Sequence, residues 1–191
     1  MTLQRKTRFA TEKDFWETPQ WLFDLLDQEF HFDCDAAATP ENTKVHGQFF
    51  ALWAGNGALD IKDWDLHMGF QSFFLNPPYS AGNIDRFMAK ALEESQKGAV
   101  VVCLVPCATD TKWWHNYAMK AQEIRFIKGR VKFVGYDEER KQIKNSPTFS
   151  SCVVIFDKTR GILEGLNQRL PDFNPTPKIG KTIEQPRSVK A

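Results

Sequence analysis

The chain reads as an α/β protein with a mostly parallel sheet and an antiparallel hairpin at one edge. Three observations predict this. AVVVCLVP at 99–106 and SFFL at 72–75 are continuous apolar runs without polar alternation, the pattern of strands buried on both faces. Such runs alternate with segments whose apolar residues recur at helical spacing. The late strand-like segments, EIRFIKGRVKFVG at 123–135 and PTFSSCVVIF at 147–156, are closely spaced, as in a hairpin.

Bulk properties narrow the class. At 191 residues the chain is long enough for one domain with an adequate core. Hydrophobic residues make up 42% and aromatics 13%, a globular composition. The net charge is +1, so any nucleic-acid surface must be a local patch. No signal peptide and no run of membrane-spanning length is visible. Cys34, Cys103, Cys107 and Cys152 are expected to be free thiols in a reducing cytosol. Cys103 and Cys107 lack a paired second cluster, which argues against zinc. The four histidines show no ligand or base spacing.

Residues 1–13, with Arg5, Lys6, Arg8 and Lys13, read as a mobile basic arm. TPQWLFDLLDQEF at 18–30 reads as a helix: Thr18 can cap, Pro19 suits the first turn, and Leu22, Leu25, Leu26 and Phe30 share a face. FHFDCDAAA at 30–38 reads as a short strand running into a loop of acids and small residues. GNG at 55–57 reads as a turn, without the strand-then-helix setting of a phosphate loop. AGNIDRFMAKALEESQKG at 81–98 is a helix with Ile84, Phe87, Met88, Ala91 and Leu92 on one face and Gly98 ending it. DTKWWHNYAMKA at 110–121 is a further helix. DEERKQIKN at 137–145 is a charged, solvated loop, or a stretch that follows a DNA backbone through Arg140, Lys141 and Lys144. Residues 171–191, rich in proline and lysine without apolar rhythm, read as a disordered tail.

The most informative stretch is SFFLNPPYS at 72–80. The apolar strand stops at Pro77 and Pro78, which fix φ and remove two N–H donors. Asn76, preceding a proline, is held extended at the strand tip. The carboxamide oxygen of Asn76 and the carbonyl of Pro77 are two fixed acceptors, and Tyr79 follows as an aromatic plate. Such a set can hold a planar group that donates two hydrogens, such as an exocyclic amine. A tight turn with a capping Asn and a packed Tyr is the plainer reading. In α/β sheets ligands bind beyond the carboxyl ends of strands. Asp33 and Asp35 with Ala36 and Ala37, and Asp63 beside Trp64, are further groups expected there. Carboxylates at strand tips accept from hydroxyls or amines; equally, the acids can form turns and Trp64 can be core.

In order, WETPQWLFDLL, FDCDAAATPEN, DIKDW, NPPYS, FIKGRVKF and PTFSSCVVIF resemble the small phage and prophage Dam-type DNA N6-adenine methyltransferases, which use S-adenosylmethionine. The resemblance covers about residues 14–156. It implies a Rossmann-like methyltransferase sheet over residues 14–160, double-stranded DNA as partner, no metal, no membrane, a host-cytoplasmic location and a role in phage evasion of restriction. It implies that Thr18 and Pro19 close over the methionine end of the cofactor. Asp33 and Asp35, with Ala36, would hold its amino-acid or ribose part, and Asp63 and Trp64 its adenine. Asn76, with the Pro77 carbonyl, would accept from the target amine and would also contact the cofactor, and Pro77 and Pro78 fix the turn. Tyr79 would stack on the extruded base, with Phe133 or Phe149 on its other side. The acidic loop carries alanines in place of the glycines of larger methyltransferases. The same tetrapeptide occurs in enzymes that methylate an RNA base or a protein glutamine, and a non-catalytic nucleic-acid-binding relative is the other alternative.

Overall fold

The computed structural model describes residues 16–39, 42–45, 49–51, 57–64, 69–79, 82–136, 142–145, 147–159 and 178–186. The expected basic arm lies outside them, as do Arg140 and Lys141.

Seven strands make one sheet: β1 (Cys34–Ala38), β2 (Phe49–Ala51), β3 (Ser72–Leu75), β4 (Val100–Pro106), β5 (Glu123–Phe126), β8 (Ser151–Phe156) and β9 (Lys178–Ile179). Their spatial order is β2-β1-β3-β4-β8-β5-β9. All pairings are parallel except those of β8, which runs antiparallel to both β4 and β5. The reversed strand is therefore interior to the sheet. The late segments do pair antiparallel, as β5 with β8, but β9 outside β5 takes the edge, and a separate two-stranded antiparallel sheet is formed by β6 (Phe133–Tyr136) and β7 (Gln142–Asn145). Part of the charged 137–145 stretch is thus strand. The chain leaves the main sheet after β5 at Gly129, whose φ of 80° suits glycine. β6 then pairs with the segment before the first helix, through reciprocal hydrogen bonds between Glu17 and Val134.

Both faces of the sheet are covered, as its apolar strands require. Along β3, Phe73 and Leu75 face one core and Phe74 the other; along β4, Val101, Cys103 and Val105 alternate with Val102 and Leu104. Helices α2 (Asn83–Lys97) and α3 (Lys112–Asn116) cover the first face with Phe87, Met88, Ala91, Trp113 and Trp114. Helix α1 (Gln20–Phe30) covers the second with Leu22, Phe23, Leu26 and Phe30. Leu25, expected on that face, is exposed. Thr18 does not cap α1: Pro19 is the N-cap residue, and its carbonyl accepts from the N–H groups of Leu22 and Phe23. Gly98, with φ of 115°, ends α2 as expected.

Two further findings depart from the expectations. The strand around residue 34 begins at Cys34, so the acid and alanines of CDAAA are themselves β1. Residues 178–186 are not a free tail: β9 extends the sheet beside β5, and Ile183 is buried against the second core. Ile127 supplies the apolar surface that Ile183 covers, through an isolated parallel bridge.

The inner surface of α2 carries a buried charge network. Glu94 has no exposed surface; its carboxylate meets Lys90 Nζ at 2.5 Å and Lys97 Nζ at 2.8 Å and accepts from the Trp64 N–H at 3.0 Å. Lys90 and Lys97 also donate to the carbonyl of Lys62. This network fixes the 62–64 turn to the helix. Removing one partner leaves buried charge uncompensated. Glu94→Ala is therefore expected to cost ~3–5 kcal/mol in urea denaturation, and the half-exposed neighbour Glu93→Ala under ~1 kcal/mol. Similar small losses from both would refute the role of the network.

Candidate functional site

The chain leaves β1 toward β2 on one side and reaches β3 on the other, so strand order reverses at β1. A crevice opens at such a switch point, outside the carboxyl ends of the strands. Here it is lined by Trp16, Glu17 and Thr18 from the segment before α1, Asp35 and Ala37 from β1, Asn42 and Lys44 from the loop after it, and Phe74 and Asn76 from the end of β3.

Asn76 is held at both ends of its carboxamide. Its Nδ2 donates to the backbone carbonyl of Trp16 at 2.9 Å, and its Oδ1 accepts from the Tyr79 hydroxyl at 2.8 Å. The same hydroxyl lies 3.0 Å from the carbonyl oxygen of Leu104 on β4. Burial pushes the Tyr79 phenol well above its usual pKa, so it stays a donor. Its ring is packed edge-to-face with Phe149 and Phe133, centroids 5.5 and 6.1 Å away. Trp16 stacks on Phe133 at 5.5 Å and Phe149 at 6.3 Å, completing an aromatic box over the tip of β3. Phe133 has no exposed surface, whereas Phe149 is half-buried. Phe149 is thus the ring of the two that an incoming planar group can reach; Phe133 is the wall behind it.

Across the crevice from Asn76, Asp35 is almost completely buried. Its carboxylate accepts from the N–H groups of Lys44 at 3.2 Å and Ala37 at 3.4 Å. Burial outweighs these bonds and raises its pKa to about 6. Glu17 and Lys44 form an ion pair at 3.5 Å with both side chains largely buried. Thr18 is 2% exposed and its buried hydroxyl has no hydrogen-bond partner, a condition it shares among the described residues with Ser151, which does not line the crevice. An orphaned buried hydroxyl is uncommon in a finished core. Beside a desolvated carboxylate and an ion pair, it marks a place where a polar ligand belongs. The methionine end of a nucleoside sulfonium cofactor carries an ammonium and a carboxylate, and this donor and acceptor set fits both.

The other expected acids lie elsewhere. Asp33 sits at the amino end of β1, where Oδ2 accepts from the N–H groups of Gln71 at 2.8 Å and Ser72 at 2.9 Å. It clamps β1 to the start of β3. Asp63 is paired with Lys97 at 2.6 Å, at the end of α2 that leads into the amino end of β4. Lys97 holds its carboxyl below the usual range. Trp64 is fully buried beside Phe73, and its indole N–H donates to the carbonyl of Ala58 at 2.9 Å. None of these three lines the crevice. Ala36 is fully buried in the core behind it.

Trp16, Glu17, Asn42 and Lys44 join the site without having been assigned a role from sequence. The motif WETPQWLFDLL contains the first two and FDCDAAATPEN ends on Asn42, whereas Lys44 carries no signal beyond its place in the loop after β1. No group of three or more His, Cys, Asp or Glu among the described residues is arranged to hold a metal ion.

A family model described as DNA N-6-adenine-methyltransferase (Dam) matches residues 5–170. The DNA N-6-adenine-methyltransferase of Haemophilus phage HP1 (strain HP1c1) is 31% identical over 151 residues, 77% of this chain and 80% of that protein. The protein of the same name from Escherichia phage T1 is 31% identical over 119 residues, 60% of this chain and 45% of that one. With the family match running over residues 5–170, the chain belongs to the DNA N-6-adenine-methyltransferase (Dam) family.

Proposed function

We propose that this chain methylates the exocyclic N6 amine of adenine in DNA, with S-adenosylmethionine as donor and a Rossmann-like methyltransferase sheet as scaffold. The observation that carries the reading is the Asn76 carboxamide, clamped between Trp16 and Tyr79 beside the polar crevice at the switch point. S-adenosylmethionine, when bound, supplies a methyl group on a sulfonium. Thr18, Asp35 and the Glu17–Lys44 pair would hold its charged end.

The chain's remaining task is to make a poor nucleophile attack. The adenine amine is weak because its lone pair is delocalised into the ring. Asn76 Oδ1 and the Pro77 carbonyl would each accept one amine hydrogen, concentrating electron density on nitrogen and favouring pyramidal geometry. Because these groups are already fixed, the gain comes from positioning and from preorganised dipoles. The target base must first leave the duplex stack, at a cost of a few kcal/mol. Stacking on Tyr79, with Phe149 beside it, offsets part of that cost. Arg130 and Lys132 lie exposed on the turn leading to Phe133, a local cationic pair suited to DNA phosphates despite the low net charge, with Lys128 beside them paired to Glu184 at 3.2 Å.

The decisive experiment is transfer of labelled methyl to unmethylated DNA, followed by nucleoside digestion and mass spectrometry. N6-methyladenine is expected from the wild type, with a loss of at least about a hundredfold in Asn76→Ala and cofactor affinity within about twofold. Equal loss of transfer and cofactor binding would remove Asn76 from the amine-holding role. Methylation of RNA or of a protein glutamine instead of DNA would redirect the substrate.

Asp35 generates a second prediction. Its folded-state pKa is raised above the unfolded value of 3.8 to about 6. The folded state therefore holds this proton more tightly, and the associated stability is present below pH 3.8 and lost as pH rises through 6. The Asp35→Asn variant is expected to flatten that part of the stability profile, read as melting temperature against pH. Cofactor affinity should move the opposite way in the wild type, weakening below pH 6 as the carboxylate that pairs with the ammonium is protonated. Calorimetric titration showing the same affinity at pH 5 and pH 7.5, at about unchanged stability, would remove Asp35 from the cofactor site.

A further inference from the structure

The Tyr79 hydroxyl does more than its ring requires. Stacking and packing need only the aromatic face, yet the hydroxyl is buried and aimed at two acceptors, Asn76 Oδ1 at 2.8 Å and the Leu104 carbonyl at 3.0 Å. A phenol has one proton, so it can serve one acceptor at a time. A carboxamide has two nearly isosteric ends, and only the oxygen can accept from an amine. In Asn76 the nitrogen end is claimed by the Trp16 carbonyl and the oxygen end by Tyr79. The reversed orientation would set the carboxamide oxygen against the Trp16 carbonyl, two acceptors face to face, and would turn the Tyr79 hydroxyl from a donor to Asn76 into an acceptor from it.

We propose that the Tyr79 hydroxyl positions Asn76 for methyl transfer: with the Trp16 carbonyl fixing which end of the carboxamide is nitrogen, the hydroxyl holds Oδ1 toward the target amine, then swings its proton to the Leu104 carbonyl as the amine arrives. The swing is a rotation about the phenolic C–O bond, because both acceptors are already within reach. It leaves Oδ1 free to accept fully from the amine without stranding a buried hydroxyl, which would cost as much as the bond contributed. β3 and β4 run in parallel register, Leu75 opposite Cys103, which sets Leu104 level with Asn76. The second acceptor is therefore supplied by the sheet itself. This inference rests on the methyltransferase reading above and adds a positioning role for an atom that reading does not use.

The test is Tyr79→Phe, which removes the hydroxyl and keeps the ring against Phe133 and Phe149. Single-turnover methyl transfer is expected to slow about tenfold, with cofactor affinity and DNA KM within about twofold. In nuclear magnetic resonance, exchange of the Asn76 side-chain amide hydrogens should quicken about tenfold in the variant. An unchanged transfer rate overturns the proposal. So does a slower rate with unchanged amide exchange, or a loss that falls on DNA KM instead of the chemical step. Wild-type transfer to DNA is the control: its absence defeats the methyltransferase reading, whereas its presence alongside an unimpaired Tyr79→Phe defeats only the hydroxyl's role.

Discussion

The reversal of strand order at β1 is the constraint on which this molecule depends. A parallel sheet cannot close its own carboxyl edge where the chain departs to opposite sides, so β1 and β3 end in an open crevice. Everything at the site is a way of furnishing that opening. Asp35 comes up from β1, Asn76 from β3, and the WETP segment before α1 runs across the gap. The β6–β7 hairpin is drawn out of the main sheet to pair with that segment, and in doing so carries Phe133 to the rim. Residues far apart in the chain are thereby joined: Asn76 bonds to Trp16, and Tyr79 packs on Phe149.

The furnishing is costly in stability. Asp35 is desolvated with only two backbone donors to compensate, and Thr18 keeps a hydroxyl without a partner. Neither makes sense as core. Both make sense as groups whose interactions are completed by a ligand, the usual place where local rules are broken. The contrast with the rest of the polar interior supports this. The acids at the amino end of the sheet are fully satisfied: Asp33 accepts two backbone N–H groups, and Asp63 and Glu94 share Lys97. The acids at the amino end of the sheet are thus paired or hydrogen-bonded, whereas at the carboxyl end Asp35 is desolvated and Thr18 keeps an unpartnered hydroxyl.

That asymmetry also explains what could be read from sequence. The strands at 72–75 and 99–106 and the α2 face were legible because burial on both faces and helical spacing leave a local imprint. The Asn-Pro-Pro-Tyr turn was legible because two prolines restrict the backbone whatever surrounds them. The acids were not sorted correctly, since Asp33, Asp35 and Asp63 have the same chemistry. Which end of the sheet each occupies is decided by where β1 begins. Reading CDAAA as a loop moved Asp33 toward the crevice; as strand, it leaves Asp33 at the opposite end from Thr39. The Glu17–Lys44 pair, the docking of Ile183 and the partners of the Tyr79 hydroxyl are tertiary contacts without local pattern. No periodicity announces them.

The aromatic box shows why the same tetrapeptide needs this particular surround. Four residues set two acceptors and a ring, but they do not set which end of the Asn76 carboxamide is oxygen. That is decided by a backbone carbonyl of Trp16, and the oxygen end is then held by a hydroxyl whose ring is packed against Phe133 and Phe149. Trp16 in turn lies on Phe133, and Phe133 is fixed by the hairpin that pairs with Glu17. The orientation of one amide is thus supported by a closed loop of contacts among four segments. Disturbing any segment should reach Asn76 before it reaches the central sheet, because the sheet's own cores lie behind the box and are held by independent packing.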